Sequence, residues 1–176
     1  MKSPQSGPFT IERDCDAYTA EIANVVEAAF RAEYGNGDGE VALIAALREA
    51  HAVATEFVAV EEGAIVGHAM FSWMSVEPAL CKVAALAPVC ARVGRQRSGI
   101  GSALIRTGFE ACREQGIGAL IVLGDTDYYG RFGFSAAKAA AMACAFAGPH
   151  LQALELVPGA LNGVRSVAYA PAFLAV

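Results

Sequence analysis

No two cysteines in this chain form a C-x-x-C pair, and its five (Cys15, Cys81, Cys90, Cys112, Cys144) are odd in number and scattered. That spacing excludes a disulfide framework and a redox couple, and it suits reduced thiols in a cytosolic setting. The three histidines, His51, His68 and His150, stand far apart, so zinc-type ligand spacing is missing and no metal is expected. There is no basic excess either. Thirteen Lys and Arg against 18 Asp and Glu leave a formal charge of -5, which argues against a general nucleic-acid surface. Long apolar runs are absent: the greasiest, Ala139 to Ala147, is too short to span a bilayer and follows Lys138. The segment MKSPQSGPFT has no apolar stretch of the kind a secretory leader needs. A cytoplasmic protein, with neither membrane nor nucleic acid as partner, is the expectation.

What is present is apolar. Hydrophobic residues make up 55% of 176 and charged residues 18%, enough for one domain, 1–176, with a full core. No repeat, low-complexity tract or linker divides it. The same apolar fraction fits a homodimer interface or an alanine-rich core equally well.

Hydrophobic periodicity orders the elements. Residues 1–8 are polar with two prolines and read as a loose lead-in. Phe9-Thr10-Ile11 reads as a first strand, and Asp14 or Asp16 as the cap of a helix through about Arg31 with Ile22, Val25, Val26, Ala29 and Phe30 on one face. Tyr34 to Glu40 (YGNGDGE) reads as a loop and Val41 to Ala50 as a second helix. Glu56 to Glu61, the turn Glu62-Gly63 and Ala64 to Met74 form a hairpin pattern. Cys81 to Arg92 is extended but contains Pro88, which cannot donate to a ladder and so predicts a bulge or a one-sided break. Gly99 to Gln115 is a helix with Leu104, Ile105, Gly108, Ala111 and Cys112 facing inward and Gly116 as its stop. Ala119 to Leu123 is a continuous apolar run, as in a central strand covered on both faces. A short helix over Thr126 to Phe132, an Ala-rich helix, a strand near Ala153 to Val157, the turn Pro158-Gly159 and an extended piece around Val167 to Tyr169 complete the chain. This order describes an α/β fold with one mixed sheet.

One stretch concentrates positive charge in an acidic protein. In VCARVGRQRSGIGSALIRTGFEACREQG, Arg92, Arg95, Arg97 and Arg106 crowd Gly99-Ile100-Gly101, with no acid before Glu110. A helix start leaves its first amides unpaired and partly positive, and glycine lets a ligand approach them. A phosphate there would accept several hydrogen bonds, with Arg95 and Arg97 adding charge. The Gly-Lys-Ser/Thr of a P-loop is missing, and Leu104 stands where a dinucleotide fingerprint needs its third glycine. Glycines that merely shape a helix start, among solvated arginines, are the competing reading.

The segment QRSGIGSALI resembles the Q/R-x-x-G-x-G/A signature of the GNAT superfamily of acyl-CoA-dependent N-acyltransferases. GDTDYYGRFGF, Gly124 to Phe134, is similar to that family's Y-x-x-x-G-F segment, matching at Tyr129, Gly133 and Phe134. The resemblance covers residues 56–135. The doubled tyrosine and LELVPGAL are similar to a bacterial branch of predicted N-acetyltransferases without an assigned acceptor. The resemblance implies a mostly antiparallel mixed sheet with splayed central strands and helices on both faces. It implies acetyl-CoA as cosubstrate, with the backbone of Val89, Cys90 and Ala91 bonding the pantetheine arm. The amides of Gln96, Arg97, Ser98, Gly99, Ile100, Gly101 and Ser102 would then hold the pyrophosphate. Val93 and Arg97 replace the usual proline and glycine of the loop, and Arg92 a usually small or apolar residue.

Acyl transfer to an amine needs a neutral amine, a stabilised oxyanion and a proton for the departing thiolate. Tyr129 is the candidate general acid, because a phenol with a pKa near ~10 stays protonated at neutral pH; aromatic packing is its competing role. Tyr128 reads as a core or substrate-wall ring. No base stands out. Asp125 suits a helix cap better than a base, and Glu33, Asp38 and Glu40 form an acidic loop beside the expected acceptor entrance. His68 and Glu77 are lesser candidates. Cys90 has no histidine near it in sequence and reads as a small buried hydrophobe, against an acyl-cysteine route. Trp73 carries no separate signal. The reading is an N-acetyltransferase acting on a small-molecule or protein amine by direct attack in a ternary complex. The alternative is a non-catalytic acyl-CoA sensor or scaffold.

Overall fold

Apolar and β-branched residues from Val53 to Ala91 lay down a three-strand antiparallel meander around which everything else is placed. In the computed structural model, which describes residues 8–13 and 15–175, β2 (Val53–Glu61), β3 (Ala64–Glu77) and β4 (Lys82–Ala91) run side by side, with β1 (Thr10–Glu12) outside β2. Beyond β4 lie β5 (Ile117–Leu123) and β6 (Leu151–Glu155), giving the order β1-β2-β3-β4-β5-β6; the short β7 (Ser166–Ala168) pairs with the far end of β3. The β4–β5 pair is parallel and the other pairs are antiparallel. A parallel pair needs a crossover, and α3 (Ile100–Glu114) supplies it.

Two layers of helix cover the sheet. On one face α3 buries Ile100, Leu104, Ile105, Phe109, Ala111 and Cys112 against Phe57, Phe71, Leu86 and Leu120. On the other, α1 (Thr19–Tyr34) and α2 (Asp38–Glu49) bury Ile22, Val25, Val26, Leu43, Ile44 and Leu47 against Val58, Ile65 and Met70. Short helices α4 (Thr126–Gly130) and α5 (Ala136–Ala139) follow β5. The mixed, mostly antiparallel sheet with helices on both faces is the one the sequence led us to expect.

The expected defect at Pro88 is there. Ala69 pairs with Val89 and Phe71 with Leu86, so Met70 faces the two residues Ala87 and Pro88. One extra residue reverses the alternation of side chains along the strand. Leu86, Val89 and Ala91 therefore all pack under α3, while Cys90 turns to the α1 face. Past the same point β4 loses β5: the two pair only from Lys82 with Ile117 to Ala85 with Ile121.

Several sequence expectations need correction. The loop after α1 is shorter than Tyr34 to Glu40, because α2 already begins at Asp38, after Gly37. Helix α1 opens after a 3-10 turn at Asp16–Tyr18 and has no side-chain cap; Asp16 offers only its main-chain oxygen, to Thr19 Oγ1. Asp14, the alternative cap, and residues 1–7 lie outside the described residues. The Ala-rich helix is a single turn, and the strand placed near Ala153 to Val157 runs from Leu151 to Glu155.

Gly108 shows how tightly α3 sits on the sheet. A Cβ added there would lie 2.1 Å from Cε2 and Cζ of Phe71. In an exposed helix interior Gly→Ala stabilises by about 1 kcal/mol. Here the sign reverses: Gly108→Ala should destabilise by about 1–3 kcal/mol through overpacking, read as a lower urea midpoint at unchanged slope. An unchanged or raised midpoint would mean that α3 seats loosely.

Candidate active site

Where β5 leaves β4, the strand-to-helix turn brings its main chain to the mouth of the opening. Arg92 N–H still bonds Val66 O (2.8 Å), Arg95 N–H bonds Arg92 O (2.8 Å), and Ser98 Oγ donates to Arg95 O (2.5 Å). Gln96 Oε1 accepts from Gly94 N–H at 2.7 Å, which sets the loop's curvature. Arg97 and Gly99 both take left-handed backbone angles (φ 60° and 86°). Arg97 thus occupies a conformation that glycine adopts more easily, at roughly 1–2 kcal/mol of strain. The first helical bond of α3 runs from Ala103 N–H to Gly99 O. The amides of Gln96, Arg97, Gly99, Ile100, Gly101 and Ser102 donate to no other described residue.

The arginines divide their work differently from the sequence expectation. Arg95 is held by Glu61 (Nη2 to Oε1, 2.6 Å), so its charge is compensated within the chain and does not stand free for a phosphate. Arg106 stacks on Phe132, 5.4 Å from the ring centre. Arg92 and Arg97 are exposed, with no carboxylate partner among the described residues. A further cation, Arg131, lies 4.6 Å from the ring centre of Tyr128. The sequence reading missed it, although the doubled tyrosine two residues earlier supplies the ring it stacks on.

Tyr128 and Tyr129 arrive on α4, whose start is capped by Asp125: its Oδ1 accepts from Tyr128 N–H at 2.6 Å. That assigns Asp125 to capping. Tyr128 lies across the start of α3. Its hydroxyl hydrogen-bonds the Ser102 side chain, and a Cβ on residue 101 would come within 2.8 Å of that hydroxyl, so the position takes glycine. Tyr129 packs edge-on to Tyr128 and Phe134 (5.0 and 5.9 Å between ring centres). It leaves no room for a side chain at Gly124, where a Cβ would fall 2.5 Å from its Cε2. Burial, reinforced by the neighbouring phenols Tyr128 and Tyr34, pushes the Tyr129 hydroxyl well above the ordinary phenol range. It stays protonated throughout the neutral range.

On the α1 face, a cavity of about 160 Å³ lies between Ala29, Phe30, Glu33 and Tyr34 of α1 and the free stretch of β4, Val89 to Ala91, with Gln96 at its rim. Four of the residues singled out in the sequence, Val89, Cys90, Ala91 and Gln96, thus meet in one place, and Glu33 joins them. Asp38 pairs with Arg31 (3.5 Å) and Glu77 with Arg165 (3.6 Å), both at the surface. Trp73 is part of the apolar layer under α3, with Lys82 Nζ 5.9 Å from its ring centre. His68 lies fully buried beneath α1 and α2 and contacts Glu56, a residue the sequence reading did not consider. Among the described residues no cluster of His, Cys, Asp and Glu could hold a metal ion, and no helix is long and apolar enough to cross a membrane.

Comparison with known proteins agrees with this geometry. The family model described as Acetyltransferase (GNAT) family matches residues 19–134. The chain is 30% identical over 133 residues to the N-acetyltransferase YhbS of Escherichia coli K12, covering 74% of this chain and 80% of that protein. The crystal structure of Escherichia coli YhbS in complex with CoA superposes with a TM-score of 0.87 at 25% identity, over 99% of this chain and 96% of the other. A GNAT family acetyltransferase from Brucella melitensis in complex with acetyl-CoA gives 0.79 at 34% identity, over 94% and 97%.

Cys90 provides a direct check on the site. Burial pushes its thiol up to about 12, only partly offset by a hydrogen bond from the His68 main chain. At pH 8 only about one molecule in ten thousand would carry the thiolate. Iodoacetamide at pH 8, followed by peptide mass spectrometry, should leave Cys90 unmodified long after a free-thiol control has reacted. Prompt labelling would reinstate an acyl-cysteine route.

Proposed function

Since the chain belongs to the acetyltransferase (GNAT) family, we propose that it transfers an acetyl group from acetyl-CoA to a primary amine by direct attack in a ternary complex. The observation that carries this reading is the set of unpaired amides at the start of α3, beside a strand edge that β5 has vacated. An elongated, anionic cosubstrate fits such a surface. Gln96, Arg97, Ser98, Gly99, Ile100, Gly101 and Ser102 would bond its pyrophosphate, with Arg97 and Arg92 free to add charge. The backbone of Val89, Cys90 and Ala91 would bond its pantetheine arm as an added strand would. The CoA-bound and acetyl-CoA-bound neighbours support this placement.

Bound acetyl-CoA supplies an activated carbonyl whose thiolate can leave. The chain's task is to place an amine against it, exclude water and move protons. Tyr129, kept protonated by its burial, would donate its hydroxyl proton towards the leaving sulfur. The α1-side cavity would admit the amine, with Glu33 drawing its ammonium form inward. The acceptor is a small molecule or a protein amine. The buried, poorly ionised thiol of Cys90 supports direct attack over a covalent enzyme intermediate.

Titration calorimetry should show one CoA site per chain. A thiol-release assay across a panel of primary amines should show acceleration by at least one of them. Tyr129→Phe should lower kcat by about 100-fold with the CoA dissociation constant unchanged. An unaltered kcat would remove Tyr129 from proton transfer, and CoA binding with no amine-dependent release would leave a binding module only.

A further inference from the structure

Under α1 and α2 the sheet buries a charged cluster. Glu56 on β2 accepts from Arg48 of α2 at 2.6 Å (Nη2) and 3.1 Å (Nε), and its Oε1 also lies 2.6 Å from His68 Nε2 on β3. Arg48 continues to Thr19 Oγ1 at 3.2 Å. His68 is 0% exposed and the Glu56 side chain 9%, so both sit where an unbalanced charge would be costly. Although burial alone would raise it, the hydrogen bonds with His68 and Arg48 hold the Glu56 carboxyl below its ordinary range. An ionised Glu56 requires Nε2 to carry the proton that bonds it. Nδ1, the other ring nitrogen, is buried with no partner among the described residues. Buried polar side-chain atoms are paired in the large majority of cases, so this nitrogen calls for a partner.

The place of this nitrogen gives it meaning. His68 pairs with Cys90 across β3 and β4, and the Pro88 bulge has turned Cys90 to this same face. Directly opposed side chains on adjacent strands stand about 5 Å apart. Cys90 also lines the α1-side cavity. The orphan imidazole therefore stands one residue behind the surface against which the acceptor amine would lie.

We propose that His68 is the proton acceptor for the incoming ammonium, reached through one bridging water over Cys90, with Glu56 and Arg48 as its positioning residues. This rests on the acetyl-transfer reading above. The ammonium N–H bond breaks and its proton passes through the water to Nδ1, leaving imidazole as imidazolium beside the Glu56 carboxylate. The neutral amine forms its bond to the thioester carbonyl carbon. As the C–S bond breaks, the sulfur takes a proton from Tyr129, which is restored by the second proton lost from the amine nitrogen. One proton is released per turnover, the one His68 held, and it returns to solvent when product leaves. The titratable groups around His68 are Glu56 from β2, Arg48 from α2 with Cys15 and Asp16 beyond it, and Cys90 from β4, while Glu33 of α1 lines the cavity with Cys90.

The test pairs kinetics with a measurement on the protein without substrate. In the wild type, nitrogen-15 spectra of the resting protein should show the His68 ring with Nε2 protonated and Nδ1 bare at neutral pH. His68→Gln should lower kcat/KM about 100-fold and abolish the ascending limb of its pH profile, while CoA affinity stays within twofold of wild type. Glu56→Gln, which preserves shape should the first variant fold poorly, removes the anion that steadies the imidazolium and should move that limb to lower pH. A resting ring with Nδ1 protonated, or a wild-type limb retained in both variants, would overturn the inference and leave acetyl transfer standing. Loss of the limb in Glu33→Gln alone would assign the role to Glu33 instead. An enzyme inert towards every amine would overturn the acetyl-transfer reading, and this one with it.

Discussion

The structure depends on one extra residue in β4. Without it, an uninterrupted ladder would carry Leu86 to Ala91 along both neighbours with strictly alternating faces. With Ala87 and Pro88 together opposite Met70, the strand shifts register and keeps β3 while β5 goes its own way. An unpaired edge in a sheet interior normally costs free energy, because main-chain groups lose water without gaining partners. Such a defect persists where something else occupies the gap, and a ligand with amide groups of its own suits that vacancy. The same residue decides which side chains face which helix layer. It places Cys90 on the α1 side, opposite His68 of β3.

Electrostatics follow from that geometry. The protein is acidic overall, yet the turn after β4, helix α3 and the end of α4 gather arginines, and each has a distinct setting: Arg95 on Glu61, Arg106 on Phe132, Arg131 on Tyr128, and Arg92 and Arg97 open to solvent. Only the open ones add fully to the field of the helix start. The stacked ones fix aromatic rings around it. On the opposite face the Arg48, Glu56 and His68 cluster is arranged around a carboxylate. Exposed cations near the start of α3 and a buried anion under α1 and α2 give the two faces of the sheet different electrostatic environments.

Elements built on strong periodicity were legible in the sequence. Leu104, Ile105, Gly108, Ala111 and Cys112 all face inward as their spacing demanded, and Pro88 announced the bulge because proline has no amide to give. Boundaries set by competing local signals were harder. Gly37 and Asn36 suggested a loop through Glu40, but Asn36 Oδ1 accepts from Asp38 N–H at 3.0 Å and lets α2 start there. The glycine turn and the tyrosine were visible as linear motifs. Glu56 and Arg48 were not, since their partners come from other elements and no spacing along the chain reports them. Arg95 misled for the same reason: its neutralising acid, Glu61, lies 34 positions away.

The four-rung attachment of β4 to β5 has a mechanical consequence. It is a short seam: besides those rungs, the second half is tied to the first by the α3 crossover, by the β7 strip on β3 and by the residues around Phe173 that pack against the α1 and α2 cluster. Beyond Ile121, β5 keeps only its β6 partner, so a ligand lodged in the opening would act as the missing thread.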